Sequence, residues 1–101
     1  MIFFKDYQPI DSVFPVNSLK ESKELKVKYY KESTYYGEVH NGKRHGTGVL
    51  VYRCGRVYEG EWMHDQKRGY AAEKFPNGSV YKGQYLNGKP SGTGTYIWGN
   101  G

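Results

Sequence analysis

A recurrence every 23 residues constrains this chain more than any other property. Tyr35-Tyr36-Gly37-Glu38-Val39 becomes Tyr58-Glu59-Gly60-Glu61-Trp62 one step later and Tyr81-Lys82-Gly83-Gln84-Tyr85 two steps later. Gly46, Gly69 and Gly92 share a column, as do Gly48, Ala71 and Gly94. Tyr52, Phe75 and Trp98 form an aromatic column, and Gly55, Gly78 and Gly101 a column of turn glycines. Several columns in one gapless phase mark a repeat array, whose units bury their apolar faces only by stacking on one another. The glycines respect the same boundary: all 14 lie in residues 37–101.

Strand periodicity makes each repeat legible. In residues 58–62, Tyr58, Gly60 and Trp62 point one way and Glu59 and Glu61 the other, which places both carboxylates on a solvated face, in cross-strand ion pairs. Gly48, Leu50 and Tyr52 share a face in the next strand, and Gly94, Tyr96 and Trp98 do so in the third repeat. Each repeat therefore reads as a strand, a loop of about six residues and a second strand. Short turns at Arg53-Cys54-Gly55-Arg56 and Pro76-Asn77-Gly78-Ser79 join the repeats, with Asn77-Gly78 a strong hairpin-turn signal because both residues tolerate positive φ. Links this short require antiparallel neighbours. Gly60 and Gly83 are expected to make room for rings from adjacent strands. Leu, Ile, Val and Phe number only 19, so a core built from 11 Tyr and 2 Trp accounts for the composition.

These motifs resemble the MORN (membrane occupation and recognition nexus) repeat family, whose unit opens on Tyr-Glu-Gly-Glu-Trp and continues to Gly-x-Gly and an aromatic. Residues 58–62 match that opening in full, and Asn41-Gly42-Lys43-Arg44-His45-Gly46-Thr47-Gly48 is similar to the family's loop. The second repeat departs, lacking the loop's first glycine and carrying Ala71 for the second glycine of Gly-x-Gly. The resemblance implies a mainly β fold, a single-layer antiparallel sheet of consecutive hairpins with repeats at 35–57, 58–80 and 81–101. It also implies a non-catalytic structural role in cytoskeletal or ciliary assemblies, including axonemal spokes, some of whose members self-associate end to end.

Stepping the phase back by 23 places Val27 and Tyr29 under Leu50 and Tyr52, which predicts a half repeat at residues 25–34. Residues 1–24 form a non-repeat extension. Ser18-Leu19-Lys20-Glu21 has capping-box spacing and starts a short helix to about Leu25, or else the stretch is a polar linker. Pro9 and Pro15 prevent one continuous helix. Phe3, Phe4 and Phe14 make the segment either a cap over the first strand, an arm that docks on another protein, or a membrane wedge.

The net charge of +5 falls mostly on residues 37–101, net +4. Lys43, Arg44, Lys67, Arg68 and Lys89 lie near successive loop tips and are expected to form a basic row, either solvated or contacting acidic proteins or anionic lipid. Nucleic acid fits poorly, because acidic strands separate the tips. His40, His45, His64 and Cys54 lack metal-site spacing, with Cys54 in the turn opposite the loops of His45 and His64, so no metal or other cofactor is expected. No phosphate loop or nucleophile–base pair is legible, and the reading is no enzyme. The lone Cys54 and the early charges at Lys5 and Asp6 point to a reducing, cytoplasmic compartment without a signal peptide, and the family resemblance implies a place at a cytoskeleton or axoneme.

The reading that follows is a scaffold in a larger assembly. Strand 94–98 is expected to form an open edge covered by a partner strand, including a second copy of this chain. The partner-binding residues are then Tyr52, Trp62, Phe75, Tyr85, Tyr96 and Trp98. The alternatives are a peripheral adaptor that binds acidic phospholipids through the basic tips, and a regulatory module of a larger enzyme.

Overall fold

The computed structural model describes residues 4–99. A 3-10 turn, Phe4–Asp6, and a short helix α1, Val16–Glu21, precede seven strands. These are β1 Leu25–Tyr29, β2 Ser33–His40, β3 Lys43–Tyr52, β4 Val57–Met63, β5 Gln66–Lys74, β6 Val80–Leu86 and β7 Lys89–Ile97. They form one open antiparallel sheet in sequence order, β1 and β7 at its edges. Among the described residues, no helix is long and apolar enough to cross a membrane.

The expected six-residue loops are two-residue turns. Asn41-Gly42 and Asn87-Gly88 take positive φ at both positions, and His64-Asp65 does the same without glycine. Such turns match the twist of the flanking strands, so pairing resumes at once, His40 opposite Lys43 and Leu86 opposite Lys89. The residues read as loop belong instead to β3, β5 and β7, which bend where the register shifts opposite Glu38, between Gly60 and Glu61, and opposite Gln84. Glu38 and Glu61 cap these bulges: a Glu38 carboxylate oxygen accepts the Thr47 N–H at 2.7 Å, and Glu61 accepts that of Tyr70 at 3.1 Å. Glu61 is thus a backbone acceptor, not a partner in a cross-strand ion pair. Asn77 keeps negative φ, and only Gly78 is left-handed. The Asn77 side chain instead accepts the Ser79 N–H.

The aromatic face carries the main core: Tyr35, Leu50, Tyr58, Trp62, Ala71 and Tyr85 are buried together. The rings over Gly60 and Gly83 come from the same strand, whereas Gly48 and Gly94 lie under Tyr35 and Tyr81 of the adjacent strand. The Tyr35, Tyr58 and Tyr81 hydroxyls reach past Gly37, Gly60 and Gly83 to donate to the carbonyls of Glu38, Glu61 and Gln84.

The opposite face is not left to solvent. Phe14, Leu19 and Val49 form a second buried cluster, with Phe4, Tyr7, Val16, Leu25, Val51 and Val57 against it. Residues 4–21 therefore lie across the back of the sheet over β2–β4, not over the first strand alone. The helix starts three residues before the capping-box reading, with Pro15 at its N-cap and no side-chain cap, and it stops at Glu21 instead of about Leu25. Phe4 stacks on Tyr36 at 5.0 Å and Phe14 is buried, so neither is held out as an arm. Phe3 and Gly101 lie outside the described residues.

This layer corrects the placement of Glu59, which is only 1% exposed. Its carboxylate accepts the Tyr7 hydroxyl and the Ile10 and Asp11 N–H groups, the latter two at 2.8 Å. Burial raises its pKa against the pull of those three donors. Tyr70 ties down the same segment by donating to Asp11 at 2.9 Å.

Candidate interaction site

Strand repetition sets rings of successive repeats edge to face. Tyr35 meets Trp62 at 5.4 Å, Tyr58 meets Trp62 at 4.9 Å and Tyr85 at 5.2 Å, and Tyr81 meets Tyr85 at 5.5 Å. Each such pair adds about 0.5–1.5 kcal/mol beyond area burial. On β7, Tyr96 and Trp98 pack on each other at 4.8 Å. Trp98 remains 80% exposed, with Tyr96 at 45% and Ile97 at 50%.

The six aromatic residues expected to meet a partner therefore divide. Trp62 and Tyr85 are buried in the fold's own core and offer no contact surface. Tyr52 and Phe75 are half-buried beneath the Arg56 guanidinium, 4.9 and 5.3 Å from their ring centroids. Tyr96 and Trp98 alone are open.

A charged cluster sits within the aromatic face. Glu73 is buried, accepts the Tyr85 hydroxyl and pairs with Arg56, with Lys67 Nζ at 3.7 Å. Lys67 donates to the Tyr52 hydroxyl at 2.9 Å and lies over the Tyr58 ring at 4.9 Å. Burial alone would lower the Arg56 pKa, but Glu73 outweighs it and raises it. Burial, reinforced by the same carboxylate, raises the Tyr85 hydroxyl far above the usual phenol range. The sequence carried a signal for this site. Glu73 occupies the column of Leu50 and Tyr96, an inward column that is otherwise apolar.

The basic row is accordingly shorter than expected. Arg44 and Lys67, one repeat apart, both turn onto the rings; Arg44 lies 4.4 Å over Trp62 and donates to Asp65 at 2.6 Å. Burial pushes the Asp65 carboxyl up, but the Arg44 hydrogen bonds and charge prevail and hold it below the usual range. Lys43, Arg68 and Lys89 remain exposed near the three hairpin tips. Those tips lie on one side of the sheet, about 10 Å apart.

Stacked hairpins also bring His40, His45 and His64 side by side, which sequence spacing missed. Cys54 is exposed in the turn at the other end of the β3–β4 hairpin. Among the described residues, no three His, Cys, Asp or Glu side chains are placed to hold a metal ion.

Comparison with known proteins agrees with this geometry. The sequence model of the MORN repeat matches residues 35–53, 58–80 and 81–101. Alsin from Rattus norvegicus is 40% identical over 47 residues, which is 46% of this chain and 3% of alsin. Alsin from Homo sapiens is 38% identical over a match of the same length. The match thus spans a small fraction of these relatives.

Proposed function

Because this chain belongs to the MORN repeat family, whose repeats are protein- or lipid-interaction modules, we propose that it is a non-catalytic scaffold that joins proteins in a cytoskeletal or ciliary assembly, such as an axonemal spoke. One observation carries this reading. Among the described residues, strand β7 pairs on one side only, and its free side lies beside exposed Tyr96, Ile97 and Trp98. An edge with unpaired backbone groups and adjoining rings supplies both the hydrogen bonds and the apolar area that strand addition requires. A cytoplasmic setting suits the exposed thiol of Cys54.

Proximity labelling in the native cell, comparing the wild-type chain with a Tyr96→Ser/Trp98→Ser variant, tests the proposal. Recovery of axonemal or cytoskeletal proteins by the wild type and their loss from the variant supports it. The same set of neighbours for both chains defeats it.

A second reading is a peripheral adaptor for acidic phospholipid, favoured by exposed Lys43, Arg68 and Lys89 on one side of the sheet. Each cation near an anionic surface contributes about 1 kcal/mol, so three give weak, salt-sensitive attachment. Sedimentation with phosphatidylserine vesicles at low salt decides it. Binding that charge reversal at these three residues abolishes supports the reading, and no binding removes it.

A further inference from the structure

Resting on the reading of β7 as a docking edge, we infer that the strand it receives is itself an opening strand of the repeat type, Tyr-x-Gly-x-Trp or Tyr-x-Gly-x-Tyr. The sheet displays that junction twice. Where β4 lies on β3, Tyr58 stands opposite Leu50, Gly60 opposite Gly48 and Trp62 opposite Gly46. Where β6 lies on β5, Tyr81 stands opposite Glu73, Gly83 opposite Ala71 and Tyr85 opposite Gly69. One step on, β7 presents Tyr96, Gly94 and Gly92 in the same columns. These three positions are therefore matched by a tyrosine, a glycine and a second ring, in antiparallel register.

The rings give the junction its selectivity. Trp62 meets Tyr35, the opening tyrosine of the preceding repeat, edge to face at 5.4 Å, and Tyr85 meets Tyr58 in the same way at 5.2 Å. Tyr35 and Tyr58, so covered, are fully buried. Tyr81 is the third member of that column and is only half-buried. Among the described residues, its ring neighbour is Tyr85 of its own strand. Trp62 also donates its indole N–H to the Gly48 carbonyl at 3.2 Å, and the Gly94 carbonyl holds the equivalent place on β7. The incoming glycine serves its own tyrosine, whose hydroxyl reaches past it as those of Tyr35, Tyr58 and Tyr81 do. A second copy of this chain has no such strand to offer. Its opening strands β2, β4 and β6 are each paired on both sides, and its edges are β1 and β7. Both are closing strands, since Val27 and Tyr29 of β1 share the columns of Leu50 and Tyr52. The occupant is an opening strand at the edge of another protein's sheet.

Titration of the full chain with a synthetic peptide of residues 55–64, which carries the β4 sequence, tests the inference by NMR. The expected result is saturable one-to-one binding with Kd below about 1 mM, with shifts concentrated at Tyr81 and residues 92–98. Trp62→Ala or Gly60→Val in the peptide should weaken binding at least about tenfold. A closing-strand peptide of residues 90–98 should not bind. Failure to saturate by about 1 mM, equal binding by the Gly60→Val or closing-strand peptide, or shifts centred on β1 overturns the inference. So does a dimer of the chain alone in sedimentation equilibrium that the peptide does not dissociate. If the peptides fail while Tyr96→Ser/Trp98→Ser still strips neighbours in proximity labelling, β7 docks a strand of another kind and the scaffold reading stands. If they bind as expected while the neighbours are unchanged, the edge chemistry stands and the cellular assembly falls.

Discussion

The Tyr35 ring lies so close over Gly48 that a Cβ at residue 48 would overlap its hydroxyl. Both residues are buried, and the hydroxyl is fixed by its bond to the Glu38 carbonyl at 2.7 Å. The same relationship recurs at the edge, where Tyr81 lies over Gly94. Gly94, however, is exposed and Tyr81 is only half-buried.

Gly48→Ala should therefore cost about 1–3 kcal/mol by overpacking, or at least about 4 °C in melting temperature. Gly94→Ala should cost less than half as much, because the Tyr81 ring can swing into solvent. Equal losses in thermal denaturation would show that ring position does not set the glycine requirement.

Glu73 holds its cluster by charge as well as by hydrogen bonding. Glu73→Ala leaves Lys67 buried without its counter-charge and should destabilise by about 3–5 kcal/mol. Arg56 suffers less, since its side chain is 37% exposed and reaches water. A Lys67→Met/Glu73→Gln double variant removes both charges and keeps an acceptor for Tyr85. It should be more stable in urea denaturation than Glu73→Gln alone, which keeps the same acceptor but leaves the Lys67 charge unpaired; equal or lower stability would assign the cluster's role to hydrogen bonding alone.

Glu59 fastens the N-terminal layer through three donors, and Glu59→Ala should release that layer before the sheet melts. Hydrogen exchange is expected to quicken at Ile10, Asp11 and Leu19, and at residues in β3 and β4 that the layer covers, while β6 amides keep their protection. Uniform loss across the sheet would mean that the layer and the repeats unfold as one unit.

The Arg44–Asp65 pair should give acid-sensitive stability. The folded pKa of Asp65 lies below its ordinary 3.8, so its contribution is present above that pH and is lost as pH falls through the folded value. Asp65→Asn keeps the acceptor and the left-handed turn but removes the charge. The melting-temperature gap between wild type and variant should be open at pH 6 and close as pH falls below 3.8. A gap independent of pH would assign the effect to shape. Glu59 acts with opposite sign, because its folded pKa is raised. Its ionisation therefore weakens the fold as pH rises through that value.

Much of this arrangement is local and was legible. The 23-residue step, the alternation within residues 58–62 and the inward glycines all follow from the strand's period of two, a property of the backbone itself. The turn pairs Asn41-Gly42 and Asn87-Gly88 were equally visible, but the Gly-x-Gly beyond them suggested loops where bulges stand. Other features had no local cause. The two faces of a strand are equivalent until something remote covers one of them. Residues 4–21 cover the back of β2–β4, which turns Glu59 from a presumed surface charge into a buried anchor. Likewise, only the stacking of hairpins decides that Lys67 folds onto Tyr58, that Trp62 and Tyr85 serve the core while Trp98 stays open, and that three scattered histidines become neighbours. The sequence by itself determined the period, the strands and which residues share a face. The tertiary structure decided what each face meets, because burial depends on segments far away in the chain, which no local pattern encodes.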